Sequence, residues 1–488
     1  MVILAVDIGS SSVRATVFDR YAQAVPGATA ARAHQFVLTP AGAVTADPQH
    51  LRALVEACIE QVLTHPRAAQ IMAVMLAAFT STLVGVDRAG EPLTPLYTYA
   101  DLRGAHDAAR LTEAIDAAEV HQRTGCPLHP SYLPAKLHWL RRTEPELSGK
   151  VARWLDFGAY LYNHWLGRPL TSTSIASWSG LYDRQAQVWD VAWLKLLDLD
   201  VSQLPQIADH EQLVTGLTET YARRWPTLAD VPFGVAVGDG AAATIGSGGV
   251  DRGQIVLTLG TTAALRVLVP SFQAPPVPDG LWAYQVDRGH HLLGGATSEG
   301  GNLVRWARDT LRLPDEDVLE TELTARQADQ HGLTFLPLLA GERSPGWALG
   351  ASGAVGGLHL STSALDLFHA ALEGVALRLA LIARPLTEAA DPQAVVMAGG
   401  GALARSRAWA QVICDALNRP LQLVAEPEVT LRGAAILALC ALGQGELRDY
   451  PPAVADVLQP RPDHAAALAA ALERQQALYE RWVGSSAP

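Results

Sequence analysis

The stretch Val237-Gly-Asp-Gly-Ala-Ala-Ala-Thr-Ile-Gly-Ser-Gly248 holds one charged residue, Asp239, among small neighbours. Phe233, Val235 and Val237 alternate ahead of it as in a strand, and the small residues behind it suit the first turns of a helix. A carboxylate at such a junction can cap the helix. It can also serve as a base at the floor of a cleft, where small neighbours leave room for whatever reacts there. Three further segments carry chemistry. Asp7-Ile-Gly-Ser-Ser-Ser12 with Arg14 and Gly260-Thr-Thr262 are hydroxyl-bearing turns, and Gly399-Gly-Gly401 is a glycine run. Exposed backbone N–H groups and hydroxyls in such turns suit phosphate oxygens, and Asp7 suits a hydrated Mg²⁺. The plainer reading of each is an ordinary turn with its aspartate satisfied locally, or a glycine run that serves packing.

The elements that position these segments repeat. Val2–Val6 and Val13–Phe18 read as two strands around the first turn, and 254–259 and 264–269 as two strands around the second, about 250 residues later. Strands are also expected at 71–77, 394–397 and 421–424, and helices at 47–64, 363–386, 430–442 and 463–483. Three glycines between a strand and a helix let a flat ligand or phosphate approach a helix N-terminus. Two similar phosphate-gripping turns, a glycine-rich junction and one isolated acid are what phosphoryl transfer needs, since that reaction demands positioning and charge neutralisation. Neither a GxxxxGK[ST] loop nor a protein-kinase motif set is present.

Composition sets the bounds. A chain of 488 residues, 49 % hydrophobic and 18 % charged, is too long for one core, so two domains are expected, 1–245 and 246–488. The formal net charge of −12 argues against nucleic-acid partners and anionic membranes. Cys58, Cys126, Cys414 and Cys440 form no CxxC pair, and no run of about 18 residues is apolar and uncharged. The opening apolar run, Val2–Val6, is too short for a signal-peptide core, so the expected home is the cytoplasm, with a homodimer one assembly compatible with the chain.

Taken together, the sequence resembles the FGGY carbohydrate kinases over about Val2 to Ala441. Gly353-Ala-Val-Gly-Gly-Leu358 followed by Asp366-Leu-Phe-His-Ala-Ala-Leu-Glu373 fits that family's C-terminal signature, and Gly341-Glu-Arg-Ser-Pro-Gly-Trp347 fits its GERxPxW loop. The resemblance implies an α/β fold of duplicated actin/Hsp70-like (ribonuclease H-like) domains with an interdomain cleft, and ATP and Mg²⁺ as cofactors. It implies Asp239 as general base and Asp7 and Asp239 as the metal's carboxylates. Gly9, Ser10, Ser11, Arg14, Gly260, Thr261, Thr262, Gly301, Arg305, Gly400, Gly401 and Arg405 would contact the nucleotide. Arg305 and Arg405 stand at positions whose side chains vary in the family, and a solvated helix arginine is the alternative for each.

The same resemblance puts the sugar pocket in the N-terminal half, from Phe79, Thr80 and Ser81, from Tyr99, Asp101 and Arg103, and from Ser131, Tyr132 and Lys136. Neither a xylulokinase-type Met-His pair nor a glycerol-kinase-type Arg-Glu pair stands at Ala78-Phe79, and Tyr99 replaces the usual Trp. The segment from Thr124 to Lys136 looks most like the gluconate-kinase branch. A carboxylate-bearing acceptor would explain Arg103, Lys136 and His129 converging in an acidic protein. The expected activity is therefore ATP-dependent phosphorylation of a sugar or sugar acid, with D-gluconate favoured. The alternatives are a xylulokinase-like ketose kinase and, in another class, a non-catalytic actin-like ATPase or sugar sensor.

Overall fold

The computed structural model describes residues 1–484. The N-terminal sheet has the order Phe233–Gly238, Ile71–Ala78, Val2–Ile8, Ser12–Asp19, Ala24–Ala33. Val2–Ile8 runs antiparallel to Ser12–Asp19 and parallel to Ile71–Ala78. The C-terminal sheet repeats this order as Leu421–Val424, Val395–Gly399, Gln254–Leu259, Ala263–Pro270, His290–Thr297, with the same parallel and antiparallel relations. Trp282–Asp287 and Val454–Leu458 extend it at its two edges. The repeated order is that of the duplicated ribonuclease H-like fold. The third strand of each sheet lacks a legible sequence signal. Ala24–Ala33 contains Pro and Gly and lies largely exposed at a sheet edge, and His290–Thr297 carries two adjacent glycines.

Alternation along these strands decides what faces the cleft. Val2, Leu4, Val6 and Ile8 pack into the N-terminal core with the helix Pro48–Leu63. Ile3 and Ala5 point the other way, into a cluster shared with Ala241, Ile245, Leu431, Ile436 and Leu439. In the second sheet, Leu265 and Val267 face the C-terminal core, while Leu268, Trp282 and Tyr284 join the shared cluster. The same parity assigns Asp7 to the shared face of the first sheet, and Thr258 and Arg266 to that of the second.

The helices Asp239–Gly246 and Val429–Ala441 cross at the centre of this shared cluster with their backbones in contact. A Cβ on Gly246 would lie 1.9 Å from the Val429 carbonyl oxygen, and one on Gly433 would lie 1.8 Å from that of Ala242. Only glycine permits that approach. Buried Arg432 ties the crossing by donating from Nη1 to the Gly246 carbonyl (2.8 Å) and from Nη2 to Tyr450 and Pro451 (3.0 Å each). Its charge meets the negative end of the first helix. At the rim, the edge strand Trp282–Asp287 is covered by the N-terminal domain, with the Ala283 N–H donating to Gly125 (2.9 Å) and the Gln285 N–H to Ser177 Oγ (2.9 Å).

The loop Gly341–Trp347 is tied down from two sides. Buried Glu299 accepts the Ala340 N–H (2.7 Å), and buried Glu342 is ion-paired with Arg378 and accepts the Tyr479 hydroxyl (2.6 Å). Burial pushes Glu299 up to about 7, against the opposing pull of the Ala340 N–H and Arg378.

Two predictions follow from this packing. Gly433→Ala should cost about 3 kcal/mol of stability, an overpacking loss with no space to relax. Gly149→Ala, with nothing within 4 Å of its Cβ, should change stability by less than about 0.5 kcal/mol in thermal unfolding; equal melting points for the two variants would contradict the crossing. The second concerns Glu299. Its folded pKa of about 7 lies above the usual 4.5, so the folded state holds the extra proton and stability falls as pH rises through that window. The loss approaches about 3 kcal/mol by pH 8. Glu299→Gln removes it, so the melting point of the variant should gain on wild type between pH 5 and pH 8, whereas parallel curves would refute the assignment.

Candidate functional site

Asp239 is the first residue of its helix, not its N-cap. Gly238 occupies the cap position without a side-chain cap bond. Half-buried, Asp239 accepts the Gly240 N–H at Oδ1 (2.7 Å) and opens into a cavity of about 170 Å³ between the domains. Burial raises its pKa, opposed by that N–H and by the charges of Arg266 and Arg343. Asp7 is buried, its carboxyl lifted to about 7 chiefly by desolvation, with Arg14 pulling it down and Asp239 pushing it up. Arg14 is ion-paired with both Asp7 and Glu428, which joins the domains at the cleft mouth.

The structure brings most of the predicted acceptor residues to this cavity. Phe79, Thr80, Ser81, Tyr99, Ser131 and Tyr132 line it, as do Ser10 from the first turn and Thr262 from the second. Ser81 holds a positive φ of 56°, as does Trp347 at 53°, two non-glycine residues in a strained region at one site. Ser81 is held there by its hydroxyl, which donates to the Trp178 carbonyl (2.6 Å).

Four expected residues, Asp101, Arg103, Lys136 and His129, are not in the cavity lining. Arg103 forms a bidentate pair with buried Asp101 (2.6 and 3.0 Å) and lies over Trp139, 4.5 Å from the ring centroid. Lys136 is buried, its ammonium donating to the carbonyls of Pro130 (2.6 Å) and Ser131 (2.8 Å), and burial pulls it down to about 7. His129 is buried and held neutral near 3, its Nδ1 accepting the Ser131 N–H (3.2 Å). The expected convergence of Arg103, Lys136 and His129 on an acceptor carboxylate is therefore corrected. These groups brace the loop that carries Ser131 and Tyr132, because burying them without partners would cost far more than pairing them.

The cations facing the cavity come from the other domain. Arg266 donates from Nη1 to Thr258 Oγ1 (2.8 Å), and Arg343 rises from the loop Gly341–Trp347. Trp178, Trp282, Tyr284 and Trp347 complete the wall, with Tyr284 stacked on Trp178 at 3.9 Å and its hydroxyl 2.5 Å from that of Tyr132. The indole N–H groups of Trp178 and Trp282 are buried without a protein partner. Of these, Arg343 and Trp347 stood in the Gly341–Trp347 motif, and Arg266 carried a signal as a charge inside an otherwise apolar strand; Trp178, Trp282 and Tyr284 carried none.

A second cavity, of about 410 Å³, is lined by Gly301, Arg305 and Arg405 as expected, and by an apolar set including Leu319, Phe368, Leu372 and Trp409. Both arginines are exposed at its edge. The second turn joins the two cavities: the Gly301 N–H donates to Gly260 (2.8 Å), while Thr262 lines the cavity of Asp239. Gly260, Thr261 and Thr262 are exposed, as are Ser10 and Ser11, and Gly9 closes the first turn by donating to Ser12 (3.0 Å). Gly400, at φ 115°, lies against the strand below the turn, where a Cβ would come 2.3 Å from the Leu259 carbonyl oxygen, whereas Gly401 is open.

Two other clusters have metal-ligand composition. His331, His369 and Glu373 converge, but His331 Nδ1 accepts the Leu333 N–H (2.9 Å), so its Nε2 carries the proton donated to Glu373. In the group of His210, Glu211 and Asp287, both carboxylate oxygens of Asp287 are taken by His290 (2.9 Å). Among the described residues no helix is long and apolar enough to cross a membrane.

Comparison with known proteins agrees with this architecture. Residues 2–246 match the profile of the FGGY family of carbohydrate kinases, N-terminal domain, and residues 255–442 match that of its C-terminal domain. A gluconokinase of Bacillus subtilis (strain 168) is 25 % identical over 93 % of this chain and 90 % of its own length. A glycerol kinase of Dechloromonas aromatica (strain RCB) is 31 % identical over 90 % of this chain and 89 % of its own. Among solved structures, a ligand-bound xylulose kinase from Lactobacillus acidophilus superposes with a TM-score of 0.91 at 25 % identity over 100 % of both chains. A gluconate kinase from the same organism gives 0.91 at 25 % identity over 99 % of this chain and 98 % of its own. With two repeated domains, a cleft between them and both family profiles matched in order, the chain belongs to the FGGY family of carbohydrate kinases, which take ATP as phosphate donor.

Proposed function

We propose that this kinase transfers the γ-phosphoryl group of ATP to a hydroxyl of a sugar acid, D-gluconate favoured, with Asp239 as general base. The observation that carries the reading is the cavity where Asp239, the acid among its lining residues, meets a hydroxyl-bearing turn from each domain. The apolar wall of the cavity beyond Gly301, Leu319, Phe368, Leu372 and Trp409, suits the adenine, and the turn Gly260–Thr262 spans from there to Asp239.

An alcohol is a poor acid, so Asp239 accepts the proton as the new P–O bond forms. The Gly240 N–H and the helix N-terminus orient its carboxylate and favour its ionised form against burial. The unpartnered indole N–H groups of Trp178 and Trp282 and the hydroxyl of Thr80 are donors suited to the acceptor's hydroxyls, and Ser81 Oγ, whose proton goes to the Trp178 carbonyl, is suited to accept from one. Asp7 and Asp239 fit a divalent cation, since burial raises both and the charge of Asp239 raises Asp7 further. Mg²⁺ bound there would neutralise phosphate charge.

A ketose acceptor is the second reading, supported by the equal structural likeness of the xylulose kinase. An ADP-release assay over aldonates, ketoses and polyols separates the two: gluconate should give the highest kcat/KM, and no turnover of it rejects the assignment. Asp239→Asn should lower kcat by about 10²–10⁴-fold. Its affinity for a non-hydrolysable ATP analogue should stay within about threefold of wild type; near-normal turnover would remove Asp239 as the base.

A further inference from the structure

A buried imidazole stands at the domain interface outside the acceptor cavity. His210 is 2 % exposed, and its buried Nδ1 has no hydrogen-bond partner among the described residues. Asp209 Oδ1 lies 3.4 Å from that nitrogen but outside hydrogen-bond geometry, and accepts the His210 backbone N–H instead (2.9 Å). An unanswered ring nitrogen at that depth costs stability and points to a bound species that answers it. His210, Glu211 and Asp287 each bring a ligand atom within 4.8 Å of the other two, and none of them lines the acceptor cavity. They come from opposite halves of the chain. His210 and Glu211 follow the strand Gln206–Ala208, and Asp287 ends the edge strand Trp282–Asp287.

Both segments are held in place. Asp287 Oδ1 accepts the Gly289 N–H (2.8 Å), and His290 Nδ1 bonds to both oxygens (2.9 Å each). A carboxylate oxygen has two lone pairs, so Oδ2 keeps one. The Arg288 N–H donates to Asp209 Oδ2 (3.2 Å), and the Val214 N–H anchors the other segment to Phe233 (2.7 Å). The carboxylates of Asp209, Glu211 and Asp287 gather here against two cationic groups, His290 and the exposed Arg288, 3.8 Å from Asp209.

We propose that His210, Glu211 and Asp287 form a binding site for a divalent cation of the Zn²⁺ type, held between the two domains and separate from the Mg²⁺ of the reaction. One imidazole with two carboxylates suits Zn²⁺, whereas Mg²⁺ prefers oxygen alone. The cluster of His331, His369 and Glu373 differs at this point. His331 spends its lone pair on the Leu333 N–H and its proton on Glu373, while the Nδ1 of His210 is uncommitted. An ion here fastens the N-terminal domain to the strand that carries Trp282 and Tyr284, whatever the acceptor. The competing answer to the same acids is a proton on His210.

The test is calorimetric titration of the full-length chain with Zn²⁺, after EDTA treatment and in excess Mg²⁺. Wild type should take up one Zn²⁺ per chain and melt at a higher temperature with it. His210→Gln and Asp287→Asn, one from each half, should each weaken binding by about 100-fold, the upper end of what losing a ligand's own hydrogen-bond partner costs. Glu211 is exposed, so Glu211→Gln probes the site without touching the core and should weaken binding by about 10-fold. His369→Gln should bind as wild type does. Failure of wild type to bind Zn²⁺ overturns the proposal in favour of the proton, and needs no variant to fold. Unchanged affinity in Glu211→Gln and Asp287→Asn overturns it too, as does binding lost in His369→Gln alone, which places the ion on the other cluster.

Discussion

The glycine-to-glycine crossing of Asp239–Gly246 and Val429–Ala441 is the contact on which the rest depends. Each helix follows the outer parallel strand of its own domain's repeated sheet order, so the crossing joins the two copies of the fold at equivalent places. Because backbone meets backbone at Gly246 and Gly433, no side chain separates the helices, and their relative position is fixed by hard contact. One helix starts with Asp239. The other follows Glu428, the residue paired with Arg14 and through it with Asp7. The interhelical contact therefore sets the relation between the acid of one domain and the hydroxyl-bearing turns of both.

Positioned there, the acids are held in an electrostatically unfavourable place. Asp7 and Asp239 are both lifted mainly by desolvation, and Asp7 further by the charge of Asp239. In a structural setting such carboxylates would be replaced or fully paired. Here Arg14 is Asp7's partner, and a single backbone N–H serves Asp239. That pattern, together with the strained φ of Ser81 and Trp347, is what a site looks like when stability has been given up for reactivity.

Much of the architecture was legible in the chain. The two hairpins, the parallel strands beside them and the glycine-rich junction declare themselves because buried strands are apolar and turns need small or hydroxyl-bearing residues. The third strands did not, since edge exposure in one and paired glycines in the other erase the alternation that marks a strand. The acid and the hydroxyl-bearing turns stood out for the same reason, being polar residues stranded in apolar surroundings. The aromatic wall of Trp178, Trp282 and Tyr284 was hidden. An aromatic residue in a strand reads as core, and nothing local reveals that the core it joins lies between domains.

The error over Arg103 and Lys136 is instructive in the same way. A cation near a predicted pocket reads as a ligand for an anion, yet burial demands that its charge be answered within the protein first. Asp101 and the carbonyls of Pro130 and Ser131 answer it completely. The relevant quantity is thus unsatisfied charge, and only coordinates reveal it. By that criterion the positive charge offered to an acceptor belongs to the C-terminal domain, while the hydroxyls and aromatic rings that shape its other side belong largely to the N-terminal one. Neither domain alone lines the whole cavity, which forms only where the two meet, beside the acid that the helix crossing places there.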